Sequence, residues 1–186
     1  MRKLNSFTFI TLNGFYKGPN EDISWHKEKT GEEENKYALD SVKSDNMLLF
    51  GRVTYDMMVN WWPTEEAKKQ TPEMAEGMNS ADKVVFSRSM KHADWTNTKV
   101  ISGDLVAEVN KLKQEAQKDM TILGSGSIVA QLAEHRLIDE FKIMIDPVVI
   151  AAGTTLFKDI SQSLNLKLIS GKTFKSGAVL VRYQPK

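Results

Sequence analysis

The sequence contains no cysteine, which excludes disulfides, cysteine nucleophiles and thiolate metal sites. Its three histidines are scattered along the chain, so we expect no bound metal. Charge of neither sign dominates, since 25 Lys and Arg face 24 Asp and Glu, and we expect neither nucleic acid nor a membrane as a partner. The N-terminal stretch 7–12 is too short and too rich in threonine for a secretory signal or a membrane span. These absences predict a cytoplasmic protein.

The length of 186 residues fits one globular domain, 1–186. Short apolar runs predict strands at 4–12, 47–50, 83–86, 99–101 and 120–123, with helices at 32–43, 52–60, 105–117 and 128–135. A long loop is expected at 15–34, and an exposed helical excursion, interrupted by Pro72, at 64–79. This alternation predicts an α/β fold with one mixed sheet, a parallel core and helices on both faces. Strand-like runs at 141–150, 164–170 and 178–183 predict antiparallel strands in the C-terminal third.

The segment Gly124-Ser125-Gly126-Ser127 lies between a predicted buried strand and a predicted helix. Free backbone amides and the helix dipole at such a junction favour a phosphate, and small side chains let the anion approach. A tight turn in which Ser127 caps the helix explains the same residues equally well. No lysine follows the glycines as in a P-loop, and a kinase-like phosphoryl transferase is therefore a minor alternative.

Two further strand ends carry an arginine beside hydroxyl groups. Arg52 and Thr54 follow Gly51, and Arg88 stands between Ser87 and Ser89. Guanidinium and hydroxyl donors suit a phosphate monoester. Because the carboxyl ends of parallel strands share one edge of a sheet, the three turns could bind a single ligand with several phosphates.

Several segments, in order along nearly the whole chain, resemble the dihydrofolate-reductase-like superfamily. The resemblance is to the branch that contains the reductase domain of the riboflavin-biosynthesis deaminase-reductase. The segments that carry it are Leu12-Asn13-Gly14-Phe15, Leu49-Phe50-Gly51-Arg52-Val53-Thr54-Tyr55, Lys83 to Ser89, and the run from Leu137-Ile138-Asp139-Glu140 through Asp146-Pro147-Val148-Val149 to Gly153-Thr154-Thr155-Leu156-Phe157.

This resemblance implies an NADPH-dependent reductase of a small heterocyclic or imine-type metabolite. The nearest named chemistries are reduction of the riboflavin-pathway intermediate phosphoribosylaminouracil and reduction of a pterin. The adenosine-phosphate side of the cofactor is assigned to the two arginine turns, and the pyrophosphate to Gly124, Ser125, Gly126 and Ser127. The resemblance also implies a homodimer that pairs through the C-terminal part of the sheet, where Phe141, Ile143, Ile145 and Val149 stand at alternating places. The same alternation is equally typical of an ordinary core.

The catalytic residues are less defined. Dihydrofolate reductases have a carboxylate on the first helix that aids protonation of the pterin, and the matching position here is Asn35. Its neighbour Glu34 is a second candidate, although an acidic helix amino terminus explains it as well. Asn13 stands where the family has a first-turn aspartate, and is the third candidate.

Aromatic residues are candidates for the substrate side of the cleft. Trp25 and Trp62 could stack on a flat heterocycle, and His26 could relay a proton, or it could be an exposed loop residue. Asn13, Asn35 and Leu123 stand where related reductases carry acidic residues. Their absence leaves an alternative function open: a nucleotide-binding protein on the same fold without reductase activity.

Overall fold

Strands and helices alternate through the computed structural model, which describes residues 1–27 and 31–186. The strands in this part are β1 (Leu4–Thr11), β2 (Phe15–Lys17), β3 (Met47–Gly51), β4 (Lys83–Phe86), β5 (Thr98–Ile101), β6 (Met120–Leu123), β7 (Glu140–Asp146), β8 (Thr154–Thr155), β9 (Leu166–Thr173) and β10 (Val179–Pro185). The helices are α1 (Ser24–Lys27), α2 (Glu32–Val42), α3 (Arg52–Val59), α4 (Glu65–Gln70), α5 (Pro72–Ser80), α6 (Leu105–Glu115) and α7 (Gly126–Glu134).

One eight-stranded sheet organises the fold, with strand order β5-β4-β3-β6-β1-β7-β10-β9. The six strands from β5 to β7 are parallel, whereas β10 pairs antiparallel with β7 and β9 pairs antiparallel with β10. The parallel strands β3, β4, β6 and β7 are each reached through helical connections, which place helices against the sheet. The expected fold class, a mixed α/β sheet with a parallel core, is confirmed.

Apolar side chains on both faces of the central strands form a core on each side of the sheet. Leu49 of β3 packs in a cluster that includes residues of α6 and α7, whereas its neighbours Leu48 and Phe50 pack with residues of α3 and α5. A third cluster joins Phe7 of β1 to Tyr37 of α2. Helices therefore cover both faces, as a parallel sheet requires.

The C-terminal part differs from the expectation in one respect. β7 is parallel to β1 and antiparallel only to β10, so the parallel core extends further along the chain than its turn-rich sequence predicts. α7, which was predicted at 128–135, provides the crossover from β6 to β7, whereas the antiparallel expectation came from the strand-like runs with turns after residue 137. β7 also ends at Asp146, before Pro147, and not at residue 150.

The residues that were expected to form the homodimer interface lie mostly inside the core. β7 is an interior strand, and its Phe141 and Ile143 are buried, so their alternation reflects packing within one chain. Val149 lies beyond the end of β7 and is exposed. The edge of the sheet at this end is β9, whose Leu168 and Ile169 are exposed. A homodimer stays a prediction, with β9 as the edge open to a second copy.

The segment 15–34 is more ordered than a long loop. Within its described part, β2 pairs antiparallel with β8, Pro19–Glu21 forms a 3₁₀ turn, and α1 follows. Residues 28–30 of the expected loop lie outside the described residues. The helical excursion at 64–79 is confirmed as α4 and α5, which meet at Pro72, the first residue of α5. In the part of the chain that is described, none of the helices has the length and apolar character needed to cross a membrane.

Candidate functional site

Three predicted turns meet at one edge of the sheet. β4, β3 and β6 are adjacent and parallel, so the turns that follow them leave the sheet at the same edge. Gly51, the last residue of β3, is paired with Phe86, the last residue of β4. The backbone N–H of Gly51 donates a hydrogen bond of 3.0 Å to Ser125 Oγ, which joins the turn after β3 to the turn after β6. The predicted convergence of strand ends is present in the structure.

The turn after β6 has the backbone shape of an anion site. Gly124 and Ser125 both have positive φ angles, 62° and 50°, and form a tight turn of the kind called a nest, in which successive amides can face one anion. The N–H of Gly124 itself donates to the carbonyl of Phe7 at 2.9 Å, so the amides that an anion could contact are those that follow it. α7 begins directly afterwards, and the first amides of a helix have no acceptor within it. The expected cap at Ser127 is wrong, because the helix begins one residue before it and Ser127 is exposed. Ser125 holds the N-cap position, and its hydroxyl accepts from Gly51 instead of from the helix.

Gly126 is required by packing as well as by any ligand. A Cβ atom at this position would lie 2.5 Å from the ring of Tyr16, which belongs to β2. A branched residue here would therefore disturb the packing of β2 against α7, since the ring would have to move first. The ring itself accounts for the small residue at 126.

The two arginines differ in what surrounds them. Arg52 Nη1 donates to Asp56 Oδ2 at 2.9 Å, four residues later in α3, so the charge of Arg52 is paired with a carboxylate. Arg88 is exposed and forms no ion pair within residues 1–27 and 31–186. Ser87 is buried, accepts from the Met90 amide at 3.1 Å, and lies 3.4 Å from the hydroxyl of Ser89. Arg88 is thus the cation at this edge that is available to a phosphate.

A cleft of about 300 Å³ opens beside these turns. Of the predicted cofactor and substrate residues, it brings together six from separate parts of the chain: Thr54, Gly124 and Ser125 from the cofactor set, and Trp25, His26 and Trp62 from the substrate set. The other cofactor residues do not line it. Gly126 and Ser127 line a neighbouring depression with Thr155 and Lys158, whereas the remaining ones, Gly51, Arg52, Ser87, Arg88 and Ser89, lie along the sheet edge outside both.

His26 lies at the wall of the cleft and is held from two sides. Its Nδ1 is 2.8 Å from Oδ2 of Asp146, a buried carboxylate at the end of β7. Its ring also stacks on Phe9, with 3.8 Å between the centroids. A carboxylate at one ring nitrogen orients the imidazole, which is an arrangement suited to proton transfer. The interpretation of His26 as an exposed loop residue is wrong, because the side chain is partly buried and oriented.

Two polar atoms on the cleft residues have no partner in the described part of the chain. They are Trp25 Nε1 and Thr8 Oγ1, and both are buried. Leaving such a group without a hydrogen bond destabilises a protein by roughly 1–3 kcal/mol. Thr121, which lines the same cleft, differs in that its Oγ1 accepts from Asn46 Nδ2 at 3.1 Å.

The charged side chains at the cleft neutralise each other. Lys17 Nζ donates to the Glu21 carboxylate at 2.6 Å, and both residues line the cleft. Burial alone would lower the pKa of Lys17, but the hydrogen bond and the charge of Glu21, with a contribution from Tyr16, raise it above the ordinary value. Lys17 is thus a cation already bound to a carboxylate.

The three catalytic candidates have different environments. Asn13 is exposed, accepts from Thr11 Oγ1 at 2.8 Å and donates to the carbonyl of Ile150 at 2.8 Å, so it fixes the segment after β7. Glu34 is buried and accepts from Ser176 Oγ, in the turn between β9 and β10. Asn35 does line the cleft. The structure therefore keeps Asn35 beside the site and gives Asn13 and Glu34 structural contacts outside it.

Among the residues of the site that the sequence patterns missed are Thr8, Tyr16 and Asp146. A carboxylate that ends a buried strand just before a proline was a usable signal for Asp146, because a buried charge needs a partner. Nothing in the sequence could place Tyr16 against Gly126, since β2 lies at that position only through its pairing with β8.

Comparison with known proteins agrees with this architecture. The model of the RibD C-terminal domain family matches residues 2–180. The uncharacterized protein YyaP of Bacillus subtilis (strain 168) is 32% identical over 174 residues, which are 94% of this chain and 90% of that protein. A structure from Shewanella sp. PV-4, named only provisionally as a riboflavin biosynthesis protein, superposes with a TM-score of 0.79 at 19% identity over 99% of each chain.

A bifunctional enzyme from Thermotoga maritima has the same fold in part of its chain. Its name gives it a pyrimidine deaminase activity and a 5-amino-6-(5-phosphoribosylamino)uracil reductase activity. The TM-score is 0.69 at 14% identity, over 100% of this chain and 57% of that one. The present chain, with its dihydrofolate-reductase-like sheet and the family match over nearly its full length, belongs to the RibD C-terminal domain family.

Proposed function

We propose that this protein is an NADPH-dependent reductase of a small heterocyclic or imine-type metabolite. The observation that carries the proposal is the hydrogen bond of 3.0 Å from the Gly51 N–H to Ser125 Oγ. It joins two turns that suit phosphate binding, and both lie beside the 300 Å³ cleft. A dinucleotide needs such an arrangement, with anion-binding turns along a sheet edge and a sheltered cavity for its reactive ring. Membership of a family named for a reductase-bearing protein supports the same conclusion.

The residues present fit this cofactor. The nest at Gly124 and Ser125 suits the pyrophosphate, and the unpaired Arg88 with Ser87 and Ser89 suits the 2′-phosphate that distinguishes NADPH from NADH. When bound, the cofactor supplies the hydride, and the protein positions the acceptor and delivers a proton. Thr54, whose methyl group is the nearest contact of a Cβ added at Gly124, lies between the anion turn and the cleft.

The His26–Asp146 pair is the structural reason to prefer a reductase to a protein that only binds nucleotides. Reduction of a C=N or C=O bond needs a proton as well as a hydride, and a group at the cleft must deliver it. Asn35 cannot donate an acidic proton, whereas a protonated imidazole can. His26, oriented by Asp146, takes this role in the proposal.

Purified protein should bind NADPH and oxidise it with at least one member of a panel that contains pterins, flavin precursors and quinonoid compounds. Cofactor binding is read by energy transfer from tryptophan to the nicotinamide, since Trp25 and Trp62 line the cleft. Oxidation is read by absorbance. Tight binding of NADPH with no oxidation across the panel would support the alternative of a nucleotide-binding protein without reductase activity.

A further inference from the structure

The unpartnered atoms of Trp25 and Thr8 mark the place where the cleft recognises its ligand. Buried polar side chains are hydrogen-bonded with few exceptions, and each exception needs an explanation. Both unpartnered atoms in the described part of the chain belong to residues of one cleft, whose lining is mostly apolar. A bound molecule that offers acceptor atoms would complete both bonds.

The remainder of the wall suits a flat, apolar molecule. The rings of Phe7, Phe9, Trp25 and Trp62 line the cleft, together with four methionines, Met57, Met58, Met74 and Met78. Aromatic faces stack on planar rings, and flexible thioethers adapt to irregular outlines. Such a surface gains little from a ligand that carries many polar groups.

The same wall offers no receptor for a phosphate at the substrate end. Recognition of a phosphate needs arginine, unpaired lysine or converging backbone amides. Among the described residues of the cleft there is no arginine, and Lys17 is bonded to Glu21. The nest at Gly124 and Ser125 is already assigned to the pyrophosphate of the cofactor.

We infer that the substrate is an uncharged, planar ring compound, apolar over most of its surface, that carries a carbonyl group at one edge. Trp25 Nε1 donates to the carbonyl oxygen, and the hydroxyl of Thr8 bonds to a polar atom of the same edge. This inference rests on the proposed reductase function and narrows it, because it replaces a phosphoribosylated pyrimidine with an unphosphorylated ring compound.

The test measures binding to the cofactor-free protein with two probes that share a ring system, menadione and 2-methylnaphthalene, of which only menadione has carbonyl groups. Thr8→Val should weaken menadione by about tenfold, the value of one lost hydrogen bond, and leave 2-methylnaphthalene unchanged. Trp25→Phe also removes ring surface, so it should weaken both probes, and menadione by more than 2-methylnaphthalene. 5-Amino-6-(5-phosphoribosylamino)uracil, the phosphorylated probe, should bind more weakly than menadione.

Thermal unfolding separates recognition from a structural role. Thr8→Val should keep or raise the melting temperature, because it removes an unpaired buried polar atom and nearly preserves the shape of the side chain. Thr121→Val is the matched control: it removes a hydroxyl that Asn46 already contacts, so it should lower the melting temperature and leave the affinity ratio of the two probes unchanged.

The inference is overturned if Thr8→Val melts at lower temperature and binds menadione as well as the wild type does. Tighter binding of the phosphorylated probe than of menadione overturns it too. A separate NADPH titration keeps the two proposals apart, because loss of cofactor binding with normal menadione recognition would contradict the reductase function alone.

Discussion

His26 Nδ1 lies 2.8 Å from Asp146 Oδ2, a contact between α1 and the end of β7 across 120 positions of sequence. The contact places an oriented imidazole on the wall of an apolar cleft, beside Trp25 and stacked on Phe9. Asp146 does not line the cleft in the described part of the chain, so it acts through His26 as a positioning residue.

Replacing His26 by Ala should lower the turnover of NADPH oxidation by about a hundredfold, the usual contribution of a general acid, and leave NADPH affinity unchanged. Added imidazole should restore part of the turnover, because it can enter the vacated space and donate a proton. Steady-state kinetics with and without imidazole check this. A loss that imidazole does not rescue, together with weaker cofactor binding, would show that His26 has only a packing role.

Asp146→Asn should lower turnover by less than His26→Ala and should not respond to imidazole, since His26 remains in place. Asn preserves the shape and one acceptor but removes the carboxylate charge beside the ring that His26 uses to donate its proton. If the double variant is no slower than His26→Ala alone, the two residues act as one unit. Additive losses would contradict that coupling.

Gly126→Ala should lower the free energy of unfolding by about 1–3 kcal/mol, because the new methyl group overlaps the ring of Tyr16. In a Tyr16→Ala background the same substitution should have little effect on stability. Urea unfolding of the four proteins measures the coupling. Equal destabilisation with and without the ring would mean that Tyr16 is not the reason for glycine at this position.

Arg88→Ala should weaken NADPH by about tenfold to a hundredfold, as expected for one charge-assisted contact, and should affect NADH much less. Arg52→Ala is the matched control, because Arg52 is already paired with Asp56 at 2.9 Å. Its removal should change the ratio of NADPH affinity to NADH affinity less than Arg88→Ala does. Titration of both cofactors checks the ratio. Equal weakening of NADPH and NADH by Arg88→Ala would show that Arg88 does not contact the 2′-phosphate.

Lys83 predicts a pH dependence of stability that is independent of the site. Its buried Nζ donates to the carbonyls of Met78, Asn79 and Ala81 at the end of α5, and burial lowers its pKa from 10.5 to about 8. The unfolded chain therefore holds the proton more tightly between these two values. The free energy of unfolding should rise with pH across this window, by roughly 3 kcal/mol at about 1.4 kcal/mol per pKa unit.

Lys83→Met removes this titration. The free energy of unfolding of the wild type, minus that of the variant, should therefore increase between pH 8 and pH 10.5. The comparison also subtracts the contribution of Lys142, whose pKa is lowered by burial as well and which both proteins retain. Urea unfolding at a series of pH values gives the two curves. Parallel curves would contradict a lowered pKa at Lys83.

Local patterns predicted the sheet and its parallel core well, because apolar runs such as 47–50 and 83–86 end at glycine or serine turns and alternate with helices. They also placed the turn at Gly124, where positive φ favours glycine. What they could not predict depends on contacts between distant segments. The pairing of Asp146 with His26, of Tyr16 with Gly126 and of Ser176 with Glu34 arises only after the sheet has formed.

The most direct measurement of the proposed function is a single-turnover reaction with NADPH that is deuterated at the transferable position of the nicotinamide, with a carbonyl-bearing ring compound as acceptor. If the protein is a reductase, oxidation of NADPH should be slowed by a primary isotope effect, and NADH at equal concentration should react much more slowly. The imidazole-rescued His26→Ala protein should show the same isotope sensitivity. NADPH that binds at the sheet edge but is never oxidised, with any acceptor of the panel, would contradict the reductase function.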